Sequence, residues 1–273
     1  MKIDRMLINA ATDLYCVLGS PVSHSKSPLV HNTSFLKNKI NAVYLAFEPP
    51  DIKSAIQSIR TLDIKGVSVT IPFKETIMDY LDEIDPLARE IGAVNTVVNR
   101  GGRLLGYNTD CQAAVAPLIP MGIKGKTICI IGAGGAGKAV AHGIAKQGGQ
   151  IIITNRSVRK GMVLAKTVGG QFIESDLDKI CADVVINTTS CGMEPHLEDL
   201  PFPTQNLNPG MVVMDVVYTP LNTRFLSIAR QKGCKTIDGL SMFVAQAAAQ
   251  FELWTGLKPD TKLMRDAVLE NQP

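Results

Sequence analysis

The sequence has no block rich in lysine and arginine, and its formal net charge of +3 is dispersed over 273 residues. That excludes an extended electrostatic footprint for nucleic acid, so any attraction for anions has to be local. No apolar run approaches the ~20 residues that a membrane-spanning helix needs. Lys2, Asp4 and Arg5 lead into no apolar segment of the signal-peptide kind, and the expected location is the cytoplasm. Internal repeats and low-complexity tracts are absent, which removes solenoids and flexible linkers. Cys16, Cys111, Cys129, Cys181, Cys191 and Cys234 form no C-x-x-C pair. Scattered thiols of this kind pack as small hydrophobes, with neither a metal site nor a disulfide framework expected.

What is present is ordinary for an enzyme: 45% hydrophobic and 19% charged residues, with length for two modest domains. Strand character appears at 13–19, 42–48, 66–71 and 93–98. Amphipathic stretches at 28–38, 51–62 and 74–91 lie between them, the last interrupted at Pro86. This alternation predicts βαβ units and a mostly parallel sheet. After a helix and loop over 109–122, a second series begins. Strands are expected at 126–132, 150–155, 183–189 and 211–217, helices at 136–147, 157–168 and 222–232. The tail predicts helices over 240–256 and 260–270. The expected organisation is a substrate-binding α/β domain, 1–110, completed by 240–273, and a Rossmann domain, 111–239. A hinge falls near 105–115.

"IIGAGGAGKAV" (130–140) fits G-x-G-x-x-G through Gly132, Gly134 and Gly137, after an apolar strand and at the start of a helix. Without side chains the turn is tight, and the backbone can approach a pyrophosphate at the helix N-terminus. An NAD site expects an acidic residue at the end of the next strand. Here the chain reads Asn155, Arg156, Ser157, then Arg159 and Lys160. A carboxylate repels a 2′-phosphate and a guanidinium binds it, so NADP is the expected cofactor.

In the front domain, "GVSVTIPFKE" (66–75) reads as a buried strand stopped by Pro72, with Thr70 and Lys74 on either side of the stop. Ser27 and Pro28 read as an N-cap and first helical residue. Ser23, His24 and Ser25 crowd the same loop, a suitable seat for a small carboxylate. Lys74, Asn95 and Asp110 each follow or interrupt a strand-like run. Singly, each has a structural reading: a solvated charge, a strand polar residue, a cap of the helix 111–117 that Thr109 would serve equally well. Their functional reading depends on convergence.

Taken in order, these motifs resemble the shikimate dehydrogenase family nearly end to end. The blocks are "SPVSHSKSP", "VSVTIPFK", "IGAVNTVV", "GYNTD", "GAGGAGKA", "NRS", "NTTSCGM", "DVVYTPLNT" and "DGLSMFVAQAAAQFELWTG". The resemblance implies NADPH-dependent reduction of 3-dehydroshikimate to shikimate, within aromatic amino-acid biosynthesis. Lys74 and Asp110 would be the catalytic pair. Ser25 and Ser27 would hold the carboxylate, and Thr70, Lys74, Asn95, Asp110 and Gln246 the ring hydroxyls, with Tyr218 near the substrate. Gly132, Gly134, Gly135, Ala136 and Gly137 would cradle the pyrophosphate. Asn155, Arg156 and Arg159 would bind the adenosine ribose and its 2′-phosphate. Thr188, Val216, Gly239 and Met242 would line the nicotinamide side. The family often carries Asn where this chain has Ser68, which is shorter and lacks the amide's paired donor and acceptor.

The implied partners are small molecules only, in a monomer or homodimer with no metal. Rival readings are a quinate/shikimate dehydrogenase of broader substrate and cofactor use, a non-catalytic NADP(H)-binding regulator, and a methylenetetrahydrofolate dehydrogenase. Arg156 argues against an NAD-preferring form of the first. The retained Lys74 and Asp110 argue against the second, and "SHSKSP" and "NTTSCGM" against the third.

Overall fold

Buried apolar runs set the architecture. The computed structural model describes residues 8–174 and 177–271. Contacts divide the chain into two compact units; one ends at Thr109 and resumes at Val244, and the other runs from Asp110 to Phe243.

The first unit contains β1 (Asp13–Leu18), α1 (Ser27–Lys37), β2 (Ala42–Phe47), α2 (Ile52–Thr61) and β3 (Gly66–Val69). It continues with β4 (Glu83–Ile84), α3 (Pro86–Ile91), β5 (Thr96–Arg100) and β6 (Arg103–Tyr107). The six strands lie in the order β2-β1-β3-β5-β6-β4. β1 is parallel to both β2 and β3, whereas β5 runs antiparallel to β3 and to β6. β3 is buried along its whole length, which is why Gly66, Val67 and Val69 are apolar, with Ser68 as its one polar residue. One face of the sheet packs Cys16, Val67, Val97 and Leu104 against Ile52, Ile56 and Ile59 of α2.

Two expectations are corrected here. The stretch 74–91 is no continuous helix: a 3-10 turn (Thr76–Tyr80) and the short β4 precede α3. Asp85 caps α3 by accepting from the N–H groups of Leu87 and Ala88, with Pro86 in the first turn, so the helix can begin only there. The strand expected at 93–98 starts at Thr96 and forms a hairpin with β6, which the periodicity did not reveal. Gly101 and Gly102 make the turn, with φ of +61° and +89°. Both central residues need positive φ in the hairpin turn that matches strand twist.

The second unit contains α4 (Asp110–Val115), β7 (Thr127–Ile131), α5 (Gly135–Lys146), β8 (Gln150–Thr154), α6 (Val158–Thr167) and β9 (Gln171–Phe172). Then follow β10 (Val184–Asn187), β11 (Val212–Asp215), α7 (Arg224–Gln231) and β12 (Lys235–Ile237). Its strands lie in the order β12-β11-β10-β7-β8-β9, all parallel. This is the doubly wound Rossmann arrangement, whose strand order reverses between β7 and β10.

α8 (Gly239–Thr255) and α9 (Thr261–Glu270) close the chain. From Val244 on they belong to the first unit, so the tail returns to the sheet where the chain began. Trp254 of α8 donates from Nε1 to the Val97 carbonyl at 3.0 Å. Beneath it Gly66 leaves the room: a Cβ there would lie 2.5 Å from Trp254 Nε1. Among the described residues no helix is long and apolar enough to cross a membrane.

Candidate active site

In the first unit, the candidate substrate residues are gathered by backbone hydrogen bonds at one end of the sheet. β3 stops at Val69, and Thr70 N still donates to Leu18 O at 2.9 Å, after which the chain turns through Pro72. The loop following β1 is tied to the same turn, because Ser20 N donates to Ile71 O at 2.9 Å. Gly19 is needed there: a Cβ would sit 2.3 Å from Thr70 Cγ2. The opposite neighbour is secured likewise. Val69 N donates to Asn95 O, and Val94 N to the Lys74 carbonyl, both at 2.8 Å. Thr70, Lys74 and Asn95 are thereby brought together, and Thr70 and Lys74 are both half-buried.

The serine loop differs from expectation in one detail. Ser27 is the first residue of α1, not its cap; Lys26 occupies the cap position without a side-chain bond to the helix. Ser25 supplies the local acceptor instead, its Oγ receiving the Ser27 N–H at 3.2 Å. Ser25 is half-buried and Ser27 buried.

Behind Asn95 lies a buried polar chain. Asn95 Nδ2 donates to Thr109 Oγ1 at 2.9 Å, and Thr109 N returns a bond to Asn95 Oδ1 at 2.8 Å. Asp110, buried at the start of α4, is the next residue after Thr109. Gln246 lies on α8, half-buried, one turn before Gln250.

In the second unit, the glycine turn has the shape its motif implies. Gly132 has φ +111°, and a Cβ at Gly137 would lie 2.2 Å from the Gly132 carbonyl oxygen. At Gly134, by contrast, a Cβ would meet nothing within 4 Å. Gly134 is also the cap of α5 and provides no side-chain bond to the helix N–H groups. Helix N–H groups without a side-chain cap, beside the open space at Gly134, fit a pyrophosphate, and Gly135, Ala136 and Gly137 supply them. Asn155 at the end of β8 braces the turn, accepting from Ala133 N at 3.0 Å. Arg156 and Arg159 are exposed, and among the described residues neither forms an ion pair. Their guanidinium groups fit the 2′-phosphate of NADP.

Opposite this turn, Thr188 follows β10 and donates from Oγ1 to Ile131 O at 2.7 Å. Asn187 and Asp215, at the ends of β10 and β11, join through Asn187 Nδ2 at 2.9 Å. Asp215 also accepts from Val217 N and Thr223 Oγ1. This buried carboxylate fixes the loop that carries Val216 and Tyr218. Burial pushes its pKa up to about 6, against those hydrogen bonds, which favour the charged form. Tyr218 stacks on Phe243 with centroids 4.3 Å apart. Gly239 is required by its neighbour, since a Cβ would lie 2.4 Å from the Val216 carbonyl oxygen. Met242 is buried.

Reading the sequence missed Tyr44, Thr96 and Gln250, all buried polar partners in the first unit. The one available signal was Gln250 itself, a polar residue four positions after Gln246 in an apolar helix.

Comparison with known proteins finds relatives along almost the whole chain. Residues 17–97 match the shikimate dehydrogenase substrate binding domain, and residues 115–198 the family described as shikimate / quinate 5-dehydrogenase. Residues 239–269 match the shikimate 5'-dehydrogenase C-terminal domain. The chain is 45% identical to a shikimate dehydrogenase (NADP(+)) of Pyrococcus furiosus over 267 residues, covering 96% of this chain and 97% of that one. A crystal structure of a shikimate dehydrogenase in complex with NADP+ superposes with a TM-score of 0.90 at 41% identity, covering 98% of each chain. Shikimate 5-dehydrogenase of Thermus thermophilus, in complex with NADP(H) and shikimate, gives 0.87 at 36% identity, covering 95% and 99%. With relatives this similar along almost the whole chain, the protein belongs to the shikimate dehydrogenase family.

Proposed function

We propose that the protein reduces 3-dehydroshikimate to shikimate with NADPH, as a cytoplasmic monomer or homodimer acting on small molecules alone. The observation that carries this reading is the gathering of the serine loop, the Thr70–Lys74 turn and Asn95 at one end of the first sheet. Six free cysteines agree with a reducing compartment.

NADPH, held by the glycine turn and by Asn155, Arg156 and Arg159, supplies the hydride. The chain's own residues position the substrate and manage charge. Ser25 and Ser27 take the carboxylate. Thr70, Asn95, Asp110 and Gln246 take ring hydroxyls, with Tyr218 beside them. Lys74 Nζ stabilises negative charge on the C3 oxygen and gives it a proton; in the reverse direction it accepts that proton, paired with Asp110. Thr188, Val216, Gly239 and Met242 line the nicotinamide side.

The test is NADP+ or NAD+ reduction with shikimate and with quinate, followed by near-ultraviolet absorbance. Turnover of shikimate with NADP+ in preference to NAD+ is expected. No turnover of shikimate overturns the reading, and quinate turned over faster than shikimate replaces it with the broader-substrate one.

A further inference from the structure

A continuous hydrogen-bonded chain of buried side chains runs through the first unit behind Asn95. Tyr44 donates from its hydroxyl to Ser68 Oγ, and Ser68 Oγ donates to Gln250 Oε1 at 2.7 Å. Gln250 Nε2 donates to Thr96 Oγ1 at 3.1 Å, and Thr96 Oγ1 donates to Asn95 Oδ1 at 2.8 Å. It joins β2, β3 and β5 to α8, over residues as far apart in sequence as Ser68 and Gln250. Tyr44 and Thr96 are 0% exposed and Gln250 is 1% exposed.

Its direction is fixed at both ends by groups that have no choice. The Asn95 backbone carbonyl can only accept, and it receives a Gln250 N–H at 3.1 Å. Gln250 therefore turns its nitrogen toward β5 and its oxygen toward Ser68. Ser68, having one hydrogen, donates it to Gln250 and takes the Tyr44 hydrogen in turn. Thr96, accepting from Gln250, directs its own hydrogen to Asn95 Oδ1 at 2.8 Å, the shorter of its two remaining contacts, the other being Thr109 Oγ1 at 3.4 Å. At the far end Thr109 N, which can only donate, points at Asn95 Oδ1 and fixes the same amide orientation independently.

The consequence falls on Asn95. Its oxygen receives Thr96 Oγ1 and Thr109 N, each at 2.8 Å, and the Thr109 hydroxyl at 3.3 Å, while one of its two N–H bonds is given to Thr109 Oγ1. The other N–H has no partner among the described residues, and its direction is set by the chain behind it. A buried polar network of this kind adds little net stability, because each hydrogen bond replaces one with water. Fully satisfied, it does fix one geometry.

We propose that Gln250 and Thr96 are positioning residues that orient the Asn95 carboxamide so that its remaining N–H meets a hydroxyl of the substrate, with Tyr44 and Ser68 holding Gln250. The proposal rests on the activity assigned above and adds to it the residues that set affinity for the polyol.

The experiment measures kcat and KM for shikimate and for NADP+ in Thr96→Val, Thr96→Ser, Gln250→Leu, Asn95→Ala and the Thr96→Val/Asn95→Ala double variant, with thermal unfolding alongside. Thr96→Val and Gln250→Leu are expected to raise the shikimate KM on the order of tenfold, the effect of one misdirected hydrogen bond. KM for NADP+ stays within about twofold, and Thr96→Ser, which keeps the hydroxyl, restores the shikimate KM. The double variant is no worse than Asn95→Ala alone, because Thr96 acts through Asn95. Additive losses, equal changes in both KM values, or no change in folded Thr96→Val overturn the proposal. If Gln250→Leu fails to fold, the Thr96 variants and the double variant decide alone. Absence of shikimate turnover in the unsubstituted enzyme overturns the assigned activity and this role with it. Full turnover there beside unaltered variants overturns only the positioning role.

Discussion

Ser68 shows how one side chain changes meaning once its partners are known. In the sequence it stands where the family often has an amide, next but one to Thr70. In the structure its single hydrogen goes to Gln250, making it a buried link between β3 and α8. Lys74 is the contrasting case, a half-buried cation at the strand end with an assigned proton to give. Replacing Lys74 by Ala is expected to lower kcat by about 10² to 10⁴, the usual contribution of general acid–base catalysis, with little change in NADPH affinity. Fluorescence titration with NADPH and steady-state rates check both halves, and near-normal kcat would remove Lys74 from its role. Arg156→Ala is expected to weaken NADPH far more than NADH. Equal losses of the two nucleotides would show that the exposed guanidinium does not read the 2′-phosphate.

At the scale of elements, the glycine turn was readable because its requirements are local. Gly132 and Gly137 answer to contacts within a few residues, and an apolar strand and a helix flank them in sequence. The β5–β6 hairpin was missed although Gly101 and Gly102 mark it, since the apolar run 93–98 concealed where the strand begins. The stretch 74–91 was misjudged for a tertiary reason: Asp82 N donates to Leu104 O, pulling the segment to the sheet as β4. The Gln250 chain was invisible because its partners lie far away in sequence. The turn itself yields a paired test. Gly137→Ala places a methyl against the Gly132 carbonyl and is expected to lower thermal stability by ~1–3 kcal/mol, as overpacking does, along with cofactor affinity. Gly134→Ala meets open space, so stability is kept while NADPH affinity drops, because the methyl occupies the pyrophosphate's seat. Unchanged NADPH affinity in the folded Gly134 variant would move the cofactor elsewhere.

At the scale of the molecule, one buried group in each unit ties stability to pH, and the two act in opposite directions. His31 in the first unit is fully buried and stacked on Tyr44 at 4.5 Å, and among the described residues neither ring nitrogen has a hydrogen-bond partner. Burial pushes its pKa down from 6.5 to about 3, opposed in part by the nearby Gln250 side chain. Between those values the unfolded chain binds a proton that the folded one refuses. Its contribution to stability is therefore complete above about pH 6.5 and is lost as pH falls toward 3. Asp215 in the second unit has its pKa raised from 3.8 to about 6, again by burial. Here the folded chain keeps a proton that the unfolded one releases. That contribution is complete below about 3.8 and is lost as pH rises through 6. Unfolding followed across this range in the unsubstituted protein, His31→Phe and Asp215→Asn separates the two. His31→Phe, which keeps a ring against Tyr44, should gain on the unsubstituted protein as pH falls. Asp215→Asn, which cannot ionise, should gain as pH rises, each by a few kcal/mol at about 1.4 kcal/mol per pKa unit. The change with pH carries the test, because any constant offset reflects altered packing or a lost acceptor. Curves parallel to the unsubstituted protein would mean that these groups titrate alike folded and unfolded, and that burial does not govern either one.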